Sequence, residues 1–224
     1  MRFGRSQLSD NNAARPPVSR NEKIMEIITV SILAMAALST AWSGYQASLW
    51  DGIQSSYYTQ ASGSRTNAAQ QRTEANQFRL ADLSVFENYI DARLEENEAV
   101  SDFYFQRFRD EFRVAYDAWI ALDPFNDPDA PPSPFAMPDY QLSQDAEAER
   151  LEARADELFN AGEDANTISD IYTLTTLLFA AALFFAAMAE RFEYYRAQIA
   201  LLVFAGIGLV IGLVIAFGQP ITSG

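Results

Sequence analysis

The 224-residue chain contains no cysteine and no histidine, and its single lysine is Lys23. The absence of cysteine excludes disulfides, thiolate nucleophiles and cysteine-based metal sites. The absence of histidine removes the side chain best suited to proton transfer near neutral pH. Acidic residues are plentiful, but each pair of carboxylates fits a solvated helix surface. We therefore predict no catalytic, cofactor-binding or metal-binding residue and no cofactor, and we expect the chain not to be an enzyme.

Charge is distributed unevenly along the sequence. Residues 1–23 carry five basic and two acidic side chains. Residues 45–169 carry nine arginines against twenty-four acidic residues, a net charge of −15 in a chain whose total is −14. A surface this acidic repels both the phosphates of nucleic acids and anionic lipid head groups. We therefore expect no nucleic acid among the partners.

Three apolar stretches are long enough to cross a bilayer, for which about 20 residues suffice. We predict transmembrane helices at 24–44, 170–189 and 197–218. Trp42, Tyr45 and Trp50 stand at the end of the first stretch, where amphipathic rings favour the membrane interface. A cleaved signal peptide is the alternative for the first stretch, which is long for that purpose and is followed by two further spans.

Basic residues near the ends of the spans predict the orientation of the chain. Five precede the first span, Arg191 and Arg196 separate the second from the third, and none lies within about 15 residues of the opposite ends. We therefore expect the amino terminus to be cytoplasmic and the carboxyl terminus extracytoplasmic. The predicted parts outside the spans are a disordered cytoplasmic tail (1–23), an acidic helical extracytoplasmic domain (45–169), a cytoplasmic turn (190–196) and an extracytoplasmic tail (219–224).

The acidic domain is predicted to be helical apart from a proline-rich connector at 123–138. Apolar residues recur every three or four positions in two stripes, which predicts helices with one buried face. The first stripe is Leu83, Phe86, Ile90 and Leu94, and the second is Phe105, Phe108, Phe112, Tyr116 and Trp119. We expect the aromatic stripe to be core rather than a ligand platform. The sequence between the stripes lacks an apolar face, so we place a break near Asn97.

Helix lengths also require the chain to turn back before the connector. One straight helix over 45–122 would be about 117 Å long, whereas a return over 141–169 spans about 44 Å. We predict a helix at 141–160 followed by a kink at 161–166. The fold class is therefore all-α: an integral membrane protein with three transmembrane helices and an elongated helical hairpin or bundle, with coiled-coil packing, as its ectodomain. A calcium site in the connector is the alternative use of its aspartates, although the full EF-hand pattern is missing.

Small residues recur every four positions through the outer half of the first span and beyond it. They are Ala36, Thr40, Gly44, Ser48 and Gly52. In the third span, Gly208 and Gly212 have the same spacing. Small side chains let helix backbones approach closely, and hydroxyls form hydrogen bonds across the contact. We predict that the longer strip forms contacts between copies of the chain and that the glycine pair packs within one chain.

The run LSTAWSGYQASLWDGIQSSYYTQAS, at 38–62, resembles the start of a group of uncharacterised bacterial membrane proteins that share a domain of unknown function. These have a first span, small and aromatic residues at its exit, a long helix with an extracytoplasmic insert, and two closing spans. The resemblance implies a multi-pass protein of the bacterial cytoplasmic (inner) membrane and supplies no activity.

Two functions fit these features. The first is a non-enzymatic, self-associating scaffold or adaptor whose partners are the lipid bilayer, further copies of the chain, and a membrane or periplasmic protein. The alternative is a homo-oligomeric channel or transport accessory subunit. Its polar path would be lined by Thr29, Ser31, Ser39, Thr40 and Ser43. Against this alternative, no ionisable residue lies in the middle of a span, where transporters usually place one.

Overall fold

The computed structural model describes residues 20–192 and 194–223, apart from the side chain of residue 21. Every regular element in this part of the chain is helical, which confirms the all-α prediction. The elements are α1 (Arg20–Leu94), α2 (Glu98–Phe105), α3 (Asp110–Ile120), a 3₁₀ turn (Pro134–Ala136), α4 (Ser143–Ala189) and α5 (Tyr195–Phe217). The predicted disordered tail lies outside the described residues except for its last four positions, which belong to α1.

Helices α1, α4 and α5 each contain a stretch long and apolar enough to cross a membrane. Neither α1 nor α4 contains proline, and both are rich in good helix formers, so each continues from polar into apolar sequence without a break. We predicted a kink at 161–166, but α4 passes through this segment as an unbroken α-helix. The helix is not interrupted there because a single glycine, Gly162, costs it only about 1 kcal/mol.

The chain divides into two compact units. Residues up to 50 and from 167 onward form the first, which we call the apolar unit. Residues 51–166 form the second, which we call the acidic unit.

In the apolar unit, α1, α4 and α5 pack around two cores. The first core consists of Ala36, Tyr172, Phe179, Ala182, Leu209 and Ala216, and the second of Ala186, Ala189, Leu202 and Ala205. Alanine makes up half of the first core and most of the second, so the helix backbones can approach closely. Large apolar side chains such as Leu38, Leu177 and Val214 are more than 60% exposed. An apolar surface of this kind suits contact with lipid rather than water.

In the acidic unit, α1 and α4 lie antiparallel. Successive pairs of contacting side chains have increasing residue numbers on α1 and decreasing residue numbers on α4. The pairs are Tyr58 with Glu163, Arg65 with Asp156, Arg72 with Glu152, and Arg79 with Asp145. The four α1 residues are seven apart. Each side chain of the three ion pairs is at least one-third exposed, so each pair contributes at most about 1 kcal/mol. The pairs therefore specify the alignment of the helices more than they stabilise them.

Small residues at the same seven-residue spacing form the buried faces of this helix pair. On α1 they are Ala61, Ala68 and Ala75, and on α4 they are Ala148, Ala155 and Gly162. Seven residues make almost two whole turns of an α-helix, so positions seven apart share one face. A Cβ atom built on Gly162 would lie 2.5 Å from the ring of Tyr58, which shows how closely side chain and backbone meet.

Aromatic side chains form the remaining core of the acidic unit. The cluster is Phe86, Tyr89, Phe108, Phe112, Tyr116 and Trp119, and this burial confirms the prediction that the aromatic stripe is core. The stripe does not lie on one helix, however, because α2 ends at Phe105 and α3 begins at Asp110. Four residues separate the two helices, and the last of them, Arg109, has extended backbone. Acidic residues in the first turn of α3 favour a helix start there.

The stripe predicted on α1 is only partly right. Phe86 is buried, whereas Leu83 and Leu94 are 38% and 76% exposed. The buried face passes instead through Asp82, Phe86 and Tyr89, because the aromatic cluster packs against that side of the helix. α1 ends three residues before the predicted break, and Asn97 caps α2 by accepting a hydrogen bond from the backbone N–H of Val100.

Candidate functional site

The predicted small-residue strip does not stay on one side of α1. Ala36 is fully buried, and the Thr40 hydroxyl donates a 2.7 Å hydrogen bond to the Ala36 carbonyl. Ser48 and Gly52 are exposed, and a Cβ atom built on Gly44 or Gly52 would meet nothing within 4 Å. The cause is geometric, since a step of four residues exceeds one helical turn by about 40°. The strip therefore turns from the interior of the chain at Ala36 to its surface at Gly44.

The glycine pair of α5 lies against α4. A Cβ atom on Gly212 would lie 2.5 Å from the ring of Phe179, and one on Gly208 would lie 3.7 Å from the Leu178 carbonyl oxygen. Both glycines are therefore used inside one chain. The close approach is required at Gly212, where the fully buried ring of Phe179 occupies the space of a side chain.

Buried hydroxyls join α1 to α4 in the apolar unit. Ser43, seven residues after Ala36, donates a 2.9 Å hydrogen bond to the Tyr172 carbonyl and contacts the Thr175 hydroxyl. Thr175 donates to the same carbonyl at 2.8 Å. Because their bonding partners belong to the chain itself, these hydroxyls fix the two helices to each other.

The end of the chain is held by side chains of α1 and α4. The amide of Gln46 donates to the Thr222 carbonyl at 3.1 Å and accepts from the Thr222 backbone N–H at 3.2 Å. The Trp50 indole N–H and the Tyr172 hydroxyl both donate to the Pro220 carbonyl, each at 3.2 Å. The side chains of Gln46, Trp50 and Tyr172 thus bind the backbone of Pro220 and Thr222.

A buried carboxylate connects four parts of the acidic unit. Asp82 on α1 accepts hydrogen bonds from Arg109 at 3.0 Å and from the Tyr140 hydroxyl at 2.9 Å. Arg109 also pairs with Glu111 on α3, and Glu111 accepts a 3.1 Å bond from the hydroxyl of Ser143, the first residue of α4. We call these five residues the Asp82 network.

Burial dominates the electrostatics of the Asp82 network. It raises the pKa of Asp82 above its usual range, although the hydrogen bonds from Tyr140 and Arg109 oppose the rise. Burial likewise raises the pKa of Tyr140, which keeps the hydroxyl protonated as a donor. Arg109 additionally lies 4.0 Å above the ring of Phe78. The charged members are bonded to one another, so the network is built to connect helices.

A groove of about 440 Å³ lies beside the network at the start of α4. Its acidic lining includes Glu111 and Asp145, and both are already paired with arginines of the same unit. Within the described residues, no group of three or more acidic side chains is placed to hold a metal ion.

One stretch of α1 in the acidic unit, between Asp51 and Glu74, has an exposed surface that is almost free of charge. Over 52–73 the charged residues are Arg65 and Arg72, and both are paired with acids on α4. The exposed positions there are otherwise small or uncharged: Gly52, Ser55, Ser56, Thr59, Gln60, Ser62, Gly63, Thr66, Asn67, Ala69, Gln70 and Thr73. We call this surface the neutral face of α1.

Sequence reasoning missed Gln46, Asp82 and Gly162, and it placed Ser43 in a polar path rather than in the contact between α1 and α4. The available signal was the seven-residue spacing that passes through Ala36, Ser43 and Trp50 and through the buried alanines of α1. An isolated buried acid such as Asp82 gives no such signal, because it looks like the other acidic residues around it.

The chain has no match among family models, curated proteins or solved structures, so its function rests on the geometry described above.

Proposed function

We propose that this chain is a non-enzymatic membrane scaffold or adaptor that self-associates along α1 and presents its acidic helical unit outside the cytoplasm. The observation that carries the proposal is the neutral face of α1. In a domain with a net charge of −15, a surface of this length without unpaired charge calls for a physical reason.

Electrostatics gives that reason. Two copies of a strongly acidic unit repel each other, and the repulsion acts over roughly 8 Å at physiological ionic strength. Contact through acidic faces would bring like charges within that distance. Contact through the neutral face places serine, threonine, glutamine and glycine side chains against each other instead. Small polar side chains of this kind allow close approach and hydrogen bonds across a helix interface.

The outward part of the small-residue strip gives the apolar unit a surface of its own for contact between copies. Gly44 has open space around its Cβ position and Ser48 is exposed, so neither is used by contacts within the chain. We assign Gly44, Ser48 and Gly52 to the contact between copies. Ala36, which is fully buried, serves the interior of one chain.

Crosslinking tests this proposal cleanly because the chain has no cysteine of its own. Single cysteines at Ser56→Cys and Gly63→Cys lie seven residues apart on the neutral face. Each should form a disulfide-linked dimer in native membranes after mild oxidation. Ala153→Cys, an exposed position on α4 of the same unit, is the matched control and should remain monomeric.

A steric test addresses the apolar unit. Gly44→Leu should reduce crosslinking at Ser56→Cys at least about tenfold while the monomer stays inserted, because a bulky side chain separates packed helices. Gly206→Leu is the control, since Gly206 also has open space around its Cβ position but lies on α5. Equal crosslinking at Ser56→Cys and Ala153→Cys, or a wild type that is monomeric in native lipid, would refute self-association through α1.

No observation favours the transport alternative in the same way. Of the five hydroxyls that would line a polar path, Thr29 and Thr40 donate to carbonyls one turn back in α1. Ser43 is bonded to α4. Thr29 and Ser43 are also fully buried, so neither lines a surface of the chain.

A further inference from the structure

We infer that residues 220–222 form a strap that closes the apolar unit by binding the ends of α1 and α4. Two residues separate the strap from α5, which ends at Phe217. Its attachment points are Gln46 and Trp50 on α1 and Tyr172 on α4. Through them, the end of α5 is tied to both of the other helices of the unit.

The strap is bound through its backbone alone. All four hydrogen bonds end on the carbonyl of Pro220 or on the N–H and carbonyl of Thr222. The side chain between them, Ile221, is 63% exposed. The site therefore requires an extended peptide backbone at this position and places little demand on the side chains that the strap carries.

The buried side chain of Gln46 relies on the strap for its hydrogen bonds. This side chain is only 3% exposed, yet the amide has both a donor and an acceptor to satisfy. Leaving either unsatisfied away from water is costly. The Thr222 peptide group satisfies both at once, as a neighbouring strand would. Without the strap, Gln46 would need water or another peptide in its place.

Closure also has a consequence for the neighbouring aromatic residues. Trp42 contacts both Tyr172 and Phe217, with ring centroids 5.7 and 6.2 Å apart. The hydroxyl of Tyr172 also donates a hydrogen bond to the Pro220 carbonyl of the strap. Release of the strap would remove one of the attachments that hold the last turn of α5 against this aromatic group.

A spin label on a single cysteine at Ser223→Cys, next to the strap, tests the inference on the full chain in lipid nanodiscs. The label should be motionally restricted in the otherwise wild-type chain. Gln46→Leu should make it mobile, because leucine keeps the volume and removes both hydrogen bonds. The backbone N–H of Thr222 should also exchange with solvent roughly tenfold faster in Gln46→Leu, as expected for lost hydrogen bonds of ordinary strength.

Variants of the strap separate a specific effect from misfolding. Thr222→Pro removes the backbone N–H without touching the helices and should also mobilise the label. Thr222→Ala and Ile221→Ala keep the backbone groups and should leave it restricted. A label that is equally mobile in the parent chain and in Gln46→Leu would overturn the inference. Mobilisation by Ile221→Ala as strong as that by Thr222→Pro would overturn backbone-only binding.

Discussion

Among the described residues, Asp82 is the only charged side chain that is fully buried. Its environment sets opposing effects against each other, because burial disfavours the carboxylate while Arg109 and Tyr140 favour it. The net result is a raised pKa in the folded protein. Removing one member of such a group leaves others without partners, which usually costs more than the group contributes as a whole.

The raised pKa of Asp82 predicts a pH-dependent contribution to stability. The folded state holds the proton to a higher pH than the unfolded chain, so the contribution is complete below the unfolded pKa and declines as the pH rises through the folded pKa. We expect Asp82→Asn to lower the free energy of unfolding of the acidic unit more at about pH 4 than at about pH 7. Hydrogen exchange of α3 peptides, measured across that range, gives the comparison.

A second variant checks the direction of this effect. The hydrogen bond from the Tyr140 hydroxyl lowers the pKa of Asp82. Tyr140→Phe should therefore raise this pKa, and the stabilising contribution of Asp82 should decline at a higher pH than in the wild type. If Asp82→Asn instead lowered the free energy of unfolding more as the pH rose, burial would not be the dominant influence on the pKa of Asp82.

The aromatic core gives a stability prediction at a single side chain. Phe108 is 6% exposed within the cluster, so Phe108→Ala should cost about 3–5 kcal/mol of unfolding free energy. Phe125, which is 66% exposed, is the matched aromatic control, and Phe125→Ala should change stability by no more than about 0.5 kcal/mol. Exchange of amide hydrogens in α3 measures both, and equal costs would show that Phe108 is not core.

At the scale of elements, the antiparallel pair of α1 and α4 in the acidic unit is built from small residues rather than from a leucine-rich seam. Alanine and glycine remove little apolar surface from water, so close backbone contact and dispersion must supply the attraction. Such a pair tolerates few enlarged side chains, whereas its exposed ion pairs can be lost at small cost.

Gly162 is where this tolerance can be measured. Gly162→Leu should destabilise the acidic unit by about 1–3 kcal/mol, because the ring of Tyr58 occupies the space of the new side chain. Moving that ring would also separate it from Phe159, on which it stacks at 5.3 Å. Ala153→Leu, on an exposed face of the same helix, should be nearly neutral. Thermal unfolding of both variants gives the test, and a neutral Gly162→Leu would contradict close packing there.

The sequence predicts the elements with strong hydropathy contrast and misses those without it. The three apolar stretches, the proline-rich connector and the buried aromatic stripe all follow from residues that are clearly apolar or clearly helix-breaking. Alanine occurs both at the surface and in the core. Ala61, Ala68 and Ala75 therefore differ little in hydropathy from their neighbours, and their seven-residue spacing does not stand out in the sequence. Leu83 and Leu94 were misplaced because several helical faces at that end carry apolar side chains, and packing against the aromatic cluster selected one of them.

At the scale of the whole molecule, the topology stays a prediction from the sequence. The basic residues near the span ends predict a cytoplasmic α4–α5 turn and an extracytoplasmic acidic unit. Asp129→Cys, in the exposed part of the connector, should react with a membrane-impermeant maleimide added to intact cells. Arg191→Cys, exposed at the turn, should react only after the membrane is opened. The reverse pattern would invert the topology.

The seven-residue pairing of α1 and α4 also limits how this protein can change in length during evolution. One residue inserted into either helix rotates everything beyond it by about 100° and moves the buried alanines out of contact. To restore the contacts, the other helix, which runs in the opposite direction, would need an insertion of the same length at the position that faces the first one. Viable insertions and deletions in the paired segments are therefore expected in blocks of about seven residues, one block per helix, so that sister sequences differ by about fourteen residues at a time.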